Sequence, residues 1–210
     1  MSAETILTMA NGKGVDLLAV RPEDIDFETL AEHIAKEKRF NGATRGREYS
    51  VAQHLCIGTD AMLRDGASEV EAAYFLLHDV QEGLWKDDPT PKKRAIAERI
   101  QAKCGVLADD IHDVLDGIVD EHDAAIHAAA GVAWPVTQEI ARVVKYYDVV
   151  MFVTEWRDLM RGIEHPSWKA YEGVRPLETE IVPWRWNLAM SEWLKRAKVL
   201  LPTMRTGAAS

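Results

Sequence analysis

The chain has 210 residues, of which 47% are apolar and 28% charged, with a net charge of −9. This length builds one well-buried domain and is short for two. The acidic balance argues against a nucleic-acid polymer as partner, which needs a basic surface, but leaves room for a small phosphate ligand held by a few placed cations.

Two cysteines, Cys56 and Cys104, form no framework pattern and read as reduced core thiols of a cytoplasmic protein. No stretch approaches the ~18 apolar residues of a membrane span. The N-terminus lacks a basic region followed by an apolar core, so no signal peptide is expected.

Helical periodicity dominates, and strand-like alternation is nearly absent. Residues 1–20 are mixed, with Gly12 and Gly14 marking a turn. Glu23 to Lys36 reads as an amphipathic helix burying Ile25, Phe27, Leu30, Ala31 and Ile34. A polar, glycine-rich loop from Asn41 to Tyr49 follows. Ser50-Val51-Ala52-Gln53 and Ser68-Glu69-Val70-Glu71 are capping-box signatures that start the next two helices.

The segment from Lys86 to Lys93 holds Pro89 and Pro91 and reads as a loop, with a polar helix beginning near Arg94. Another helical stretch covers Ala108 to Asp120. Thr137 caps a long helix with Ile140, Val143, Val144, Tyr147, Val150 and Met151 inward. The C-terminal part is rich in tryptophan (Trp168, Trp184, Trp186, Trp193) and closes with a helix near Trp186 to Leu200. The expectation is one all-α domain, a helical bundle over residues 1–205, with a frayed tail at 206–210. The tryptophans serve as core or as the interface of a homo-oligomer.

One helix ends oddly. The apolar run Ala72-Ala73-Tyr74-Phe75-Leu76-Leu77 closes in His78-Asp79, with Glu82 further on. His78 and Glu82 therefore share a helix face, with Asp79 beside them. Burying such charge uncompensated costs several kcal/mol, and a metal ion is a natural compensation.

Four features accompany this doublet. His54 lies in the first turns of its helix, near the positive end of the dipole, where a neutral imidazole with a free lone pair is favoured; a packed or surface histidine is the ordinary alternative. Asp148 falls between Val144 and Met151 on the apolar face of its helix, where it needs a metal or a salt bridge. Arg39, before Phe40, is either an ordinary helix C-terminal cation or a phosphate clamp. Asp87 stands on a loop stiffened by Pro89 and Pro91.

Two histidines and two aspartates (His54, His78, Asp79, Asp148) suit a divalent transition ion, which polarises a phosphoryl oxygen and acidifies water. Glu82 is placed to take or deliver the proton. The doublets His112-Asp113 and His122-Asp123 sit in charge-rich stretches, where a solvated helix face is the expectation.

These segments together resemble the HD-domain phosphohydrolases, specifically the small branch that contains bacterial 5′-deoxynucleotidases and phage dATP triphosphohydrolases. The resemblance runs from Ile6-Leu7-Thr8 to the helix of Asp148. It is carried by Arg39-Phe40-Asn41-Gly42, Tyr49-Ser50-Val51-Ala52-Gln53-His54, His78-Asp79-x-x-Glu82, Asp87-x-Pro89-Thr90-Pro91 and Asp148.

The resemblance implies an all-helical HD-domain bundle with His54, His78, Asp79 and Asp148 as ligands of Co, Mn, Zn, Fe or Ni, and Mg on the substrate phosphates. It implies Glu82 as the residue that activates water, Arg39 as the phosphate-contacting arginine and Asp87 as the carboxylate meeting the sugar 3′-hydroxyl. Close relatives often carry Trp after the arginine; Phe40 keeps an aromatic face there. Lys93 and Lys145 are the nearest cations for further phosphates, with surface helix lysines as the alternative.

The expected activity is hydrolysis of a small deoxynucleotide in a bacterial cell or phage-infected host. It is either a dNTP triphosphohydrolase preferring dATP, releasing deoxynucleoside and triphosphate, or a 5′-deoxynucleotidase acting on dNMP. A non-catalytic module that binds a metal or a nucleotide is the alternative of another class.

Overall fold

Several of the helices begin where a short polar side chain can take a backbone N–H that the helix leaves free. Asp26, Ser50, Ser68 and Thr137 accept from the N–H groups of Thr29, Gln53, Glu71 and Ile140. Each such cap stabilises its helix by about 1 kcal/mol. At Ser68 the box is reciprocal, the Glu71 carboxylate accepting from the Ser68 N–H at 2.8 Å.

The computed structural model describes residues 5–86, 89–160 and 166–205. A two-stranded antiparallel hairpin, β1 (Ile6–Thr8) and β2 (Gly14–Asp16), opens the chain with Leu7 opposite Val15. After a 3₁₀ turn at Pro22–Asp24 come α1 (Phe27–Lys36), a second 3₁₀ turn at Arg39–Gly42, α2 (Val51–Arg64), α3 (Glu69–Leu77) and the short α4 (Glu82–Trp85). Then follow α5 (Thr90–Cys104), α6 (Ala108–Ala130), α7 (Gln138–Leu159), a 3₁₀ segment at Pro166–Tyr171, α8 (Trp186–Leu200) and α9 (Pro202–Arg205). The architecture is an all-α single domain with one small sheet appended.

The main core is formed where α1, α2, α3 and α8 pack on one another. Leu30, Ile34, Leu55, Leu76 and Trp193 are fully buried in it, and the Trp193 indole N–H donates to the Leu76 carbonyl at 3.2 Å. A smaller cluster of Tyr49, Met62, Phe75, Met151 and Leu159 joins α2 and α3 to α7. His54 lies at the seam. Its neighbour Leu55 belongs to the first cluster, while Phe75 of the second stacks on its ring at 5.7 Å.

The structure corrects several expectations. Residues 5–17 form a hairpin, its three-residue strands too short to show alternation. The first helix starts at Phe27 rather than Glu23, because Pro22–Asp24 makes a 3₁₀ turn and Asp26 supplies the cap. Ser50 caps α2 without a reciprocal box: the Gln53 amide instead donates to the Val182 carbonyl at 2.9 Å and accepts from the Trp184 N–H at 2.8 Å. The polar helix begins at Thr90, and α6 continues to Ala130.

Cys104 is exposed rather than in the core; Cys56 is buried, and burial pushes its thiol up to about 12. Among the tryptophans, Trp193 is core, Trp184 is half-buried and Trp186 is exposed with the Lys36 ammonium 4.7 Å above its ring. The Trp168 side chain and the tail at 206–210 lie outside the described residues. Among the described residues no helix is long and apolar enough to cross a membrane.

Candidate metal centre

The chain around the anomalous doublet does not run on as one helix. α3 ends at Leu77 and His78 is its C-cap. From there the backbone tightens: Val80 N–H donates to Leu77 O, Glu82 to Asp79 O and Gly83 to Val80 O, all three residues back. At three residues per turn, Asp79 and Glu82 rather than His78 and Glu82 fall in line. The expected face shared by His78 and Glu82 is therefore replaced by one shared by Asp79 and Glu82, at the start of α4.

α2 and α7 supply the opposite wall. His54, fully buried on α2, directs Nε2 to within 3.7 Å of Asp148 Oδ1 on α7 and 3.8 Å of Asp79 Oδ2. His78 Nε2 lies 3.4 Å from Asp79 Oδ2 and 3.9 Å from Asp148 Oδ1. Each of His54, His78 and Asp148 offers one ligand atom, and these lie within 4.8 Å of one another, so the triad could hold a metal ion. Asp79 stands beside it, its Oδ2 also accepting from Arg39 Nη1 at 3.0 Å.

The donor set fits such an ion. Both imidazole Nε2 atoms are buried without a hydrogen-bond partner among the described residues. A polar atom stranded in this way costs about 1–3 kcal/mol, which coordination removes. Ligands held 2.0–2.2 Å from an ion stand about 3.0–3.4 Å apart, so the imidazole–carboxylate spacings of 3.4–3.9 Å need only a few tenths of an ångström of closure.

The other nitrogen of each ring is already engaged. His78 Nδ1–H donates to the Phe75 carbonyl at 2.7 Å, and His54 Nδ1–H donates to Glu155 Oε1 at 2.6 Å. With Nδ1 carrying the proton, the Nε2 lone pair of both rings faces the cluster.

Glu155 is the residue that sequence reasoning missed. It is fully buried on α7 and joins two elements, since its Oε2 also accepts from Arg39 Nε at 3.1 Å. A signal for it existed: Glu155 stands two turns after Asp148, on the same face, inside the apolar run from Val149 to Trp156.

Arg39 is set in place by the turn at Arg39–Gly42 and by its N–H, which donates to the Tyr49 carbonyl at 3.1 Å. The turn puts Phe40 and Asn41 in left-handed backbone, with φ of 57° and 56°. For non-glycine residues this costs about 1–3 kcal/mol each. Burial opposes the Arg39 charge, but Glu155, Asp79, Glu82 and Asp148 outweigh it and hold the guanidinium firmly protonated. Burial likewise disfavours the Asp148 carboxylate, yet His78, His54, Arg39 and Lys145 hold it below the usual carboxylate range. Lys145, one turn before Asp148, donates to its Oδ2 at 2.8 Å.

The remaining expected site residues divide. Phe40 is half-buried with its ring 6.2 Å from that of Phe152. Lys93, in the first turn of α5, does not line the cavity beside the cluster, whereas Lys145 does. Asp87 lies outside the described residues.

The two lookalike doublets also part ways. Asp113 is exposed on α6 as expected, but His122 is fully buried and Asp123 is only 8% exposed. The expected solvated face is wrong there, because α6 turns its later half inward. His122 Nε2–H donates to the Leu17 carbonyl at 2.8 Å, against the chain just after the hairpin.

No family model matches the chain. It is similar to an uncharacterized protein of Rhodobacter capsulatus, with 32% identity over 145 residues that cover 68% of this chain and 66% of that protein. It is also similar to the uncharacterized protein YfdR of Escherichia coli (strain K12), with 29% identity over 162 residues, 76% of this chain and 74% of the relative. The chain thus spans about two thirds of the first relative and three quarters of the second, and neither name carries an activity.

Proposed function

We propose that this protein is a metal-dependent phosphohydrolase of deoxynucleotides, of the HD-domain kind that its motifs resemble. The observation that carries the reading is the convergence of two buried, unpartnered imidazole nitrogens with the Asp148 and Asp79 carboxylates, Glu82 standing in line with Asp79.

In this reading His54, His78, Asp79 and Asp148 hold a divalent transition ion, of which Mn, Fe, Co, Ni and Zn all suit the donor set. Such an ion supplies Lewis acidity toward a phosphoryl oxygen and toward water. Glu82 takes the proton of the attacking water or returns one to the leaving oxygen. Arg39, fixed between Asp79 and Glu155, presents positive charge where negative charge develops. Lys145 is exposed and can swing from Asp148 to a phosphate.

The expected triphosphohydrolase activity, with dATP preferred, requires cations for three phosphates. The positions of the lysines favour the second reading, a 5′-deoxynucleotidase. Among the described residues lining the cavity Lys145 is the one lysine, and Arg39 stands behind its Asp79 wall rather than in the lining, which suits a single phosphoryl group.

Two measurements test this. The metal-loaded protein is incubated with each dNTP, dNMP and ribonucleotide, and the released phosphate or triphosphate is identified. Glu82→Gln is expected to keep its metal by elemental analysis while losing about 10²–10⁴-fold in turnover. Turnover near the wild-type rate with metal retained refutes the role of Glu82, and a purified protein that binds no metal refutes the whole reading.

A further inference from the structure

A second cavity, of about 700 Å³, shares no lining residue with the cavity beside the metal cluster. The end of α1, the segment leading into α2 and the start of α8 enclose it. Its volume is that of a small-molecule site rather than of a lone ion.

Its charge runs against that of the chain. In a protein of net charge −9, Lys36, Lys38, Arg47 and Arg185 line it with one carboxylate, Glu48. Lys38 pairs with Glu48, and Lys36 with Glu32 outside the lining. Arg47 and Arg185 have no hydrogen bond or ion pair among the described residues. Like charges gathered in a concave wall repel one another and concentrate anions there. The N–H groups of Trp186 and Asn187, in the first turn of α8, also lack an acceptor among the described residues, since Arg185 at the N-cap offers none.

The rest of the wall is aromatic and firmly held. Trp184 is half-buried, and Trp186 carries the Lys36 ammonium 4.7 Å above its ring. Lys38 pairs with Ser50 as an isolated antiparallel bridge, joining the end of α1 to the start of α2. The Gln53 side chain accepts from the Trp184 N–H and donates to the Val182 carbonyl, which ties α2 to the segment before α8. The three segments that enclose the cavity are therefore fixed before any ligand arrives.

We propose that this cavity binds a small molecule joining a phosphate group to a flat apolar ring, the phosphate on Arg47 and Arg185 and the ring against the tryptophans. The inference does not rest on the phosphohydrolase reading. A guanidinium donates two parallel hydrogen bonds to a phosphate, and two arginines meet the charge of about −2 that a phosphate monoester carries. A carboxylate, with one charge, would leave one arginine unmatched. Inorganic phosphate would leave most of the volume and both indoles unused.

The probe is phenylphosphonate, whose P–C bond resists hydrolysis at the metal centre. Methylphosphonate, benzoate and inorganic phosphate are the comparisons. Binding to the protein loaded with zinc is followed by NMR at the indole N–H signals of Trp184 and Trp186, assigned with Trp184→Phe and Trp186→Phe. Both signals are expected to shift saturably. Phenylphosphonate should bind about tenfold more tightly than methylphosphonate, the difference an aromatic contact supplies.

Arg47→Gln and Arg185→Ser should each weaken phenylphosphonate by about 10–100-fold, the share of hydrogen bonds to a charged group. Both replace exposed side chains, and Arg185→Ser installs a capping hydroxyl, so melting at or above the wild-type temperature separates lost binding from lost fold. Indole signals that stay still at millimolar phenylphosphonate overturn the inference. Affinity unchanged in both arginine variants overturns it too, because the ligand then sits elsewhere. Benzoate binding as tightly as phenylphosphonate removes the phosphate from the proposal, and inorganic phosphate doing so removes the ring; either result refutes it.

Discussion

Replacing Glu155 with glutamine tests whether the cluster is built as a metal centre or merely as a buried polar network. Glu155 is fully buried and accepts two hydrogen bonds, from His54 Nδ1 at 2.6 Å and from Arg39 Nε at 3.1 Å. A glutamine of the same shape has one acceptor oxygen, so one of the two donors must face its amide N–H. Arg39 keeps Asp79 but loses its partner on α7. Breaking one side of a buried ion pair costs about 3–5 kcal/mol, and the retained hydrogen bond puts the expected loss at the lower end, about 3 kcal/mol.

For the ion the effect is separate. Carboxylates behind a ligating histidine fix its ring and raise its basicity, and their loss weakens metal affinity by about 10–100-fold. The assay is competitive titration of Co or Zn against a chelator, at a temperature where circular dichroism shows the variant folded, together with denaturant unfolding of the metal-free protein. An affinity within about twofold of wild type would refute the reasoning, since His54 would then need no support from α7.

Gly58→Ala probes the packing behind the ligands: a Cβ there falls 2.2 Å from Phe75 Cε1 and 3.1 Å from Met151 Cγ. Alanine improves helix propensity by about 1 kcal/mol, but the clash costs more, and a net loss of about 1–2 kcal/mol is expected. Metal affinity should fall with it, because the displaced Phe75 ring packs on His54 and His78 at 5.7 and 4.6 Å; a melting temperature above wild type would contradict this account. Asp123→Asn should alter the pH dependence of stability. The raised Asp123 carboxyl stays protonated in the folded chain while its unfolded counterpart ionises, so wild type loses up to about 1.4 kcal/mol per pH unit between about pH 4 and 8 from this group. The stability of the asparagine variant relative to wild type should therefore rise across that range and level off above it, and denaturant midpoints that run parallel at pH 5 and 8.5 would exclude it.

The legibility of this chain in its sequence followed the range of the interactions involved. Caps such as Ser50, Ser68 and Thr137 act within four residues, and the helices they start were readable. The convergence of His54, His78 and Asp148 was readable for other reasons: Asp148 stood on the apolar face of its helix, the His78-Asp79 doublet closed an apolar run, and His54, near the start of its helix, joined them through the motifs that carry the resemblance. Glu155 stands two turns after Asp148 on the same face, but the reading of that helix stopped at Met151. Asp123 was misread because charge density along α6 was averaged. Asp120 and Glu121 are exposed while Asp123 is not, and only the packing of α6 separates them. The tightened turn at 78–82 was hidden for a subtler cause, since i+3 and i+4 hydrogen bonding leave the same apolar spacing over so few residues.

His54 and Glu155 bond to each other at a sequence separation of 101, and Arg39 reaches Glu155 at a separation of 116. The candidate ligands come from α2, the end of α3 and α7, and apart from the adjacent His78 and Asp79 they are well separated in the unfolded polymer. An ion held by all of them would need the finished fold, with the His78-Asp79 doublet as a weaker hold on the unfolded chain. Its binding would then add to the folding energy: at a free concentration a thousand times the dissociation constant this would amount to at most about 4 kcal/mol. For a chain of this size that is a large share of all the stability it has. An ion in the cluster would thus fasten α7 to α2 and α3 much as a covalent staple would, but with a strength set by the ion supply around the protein.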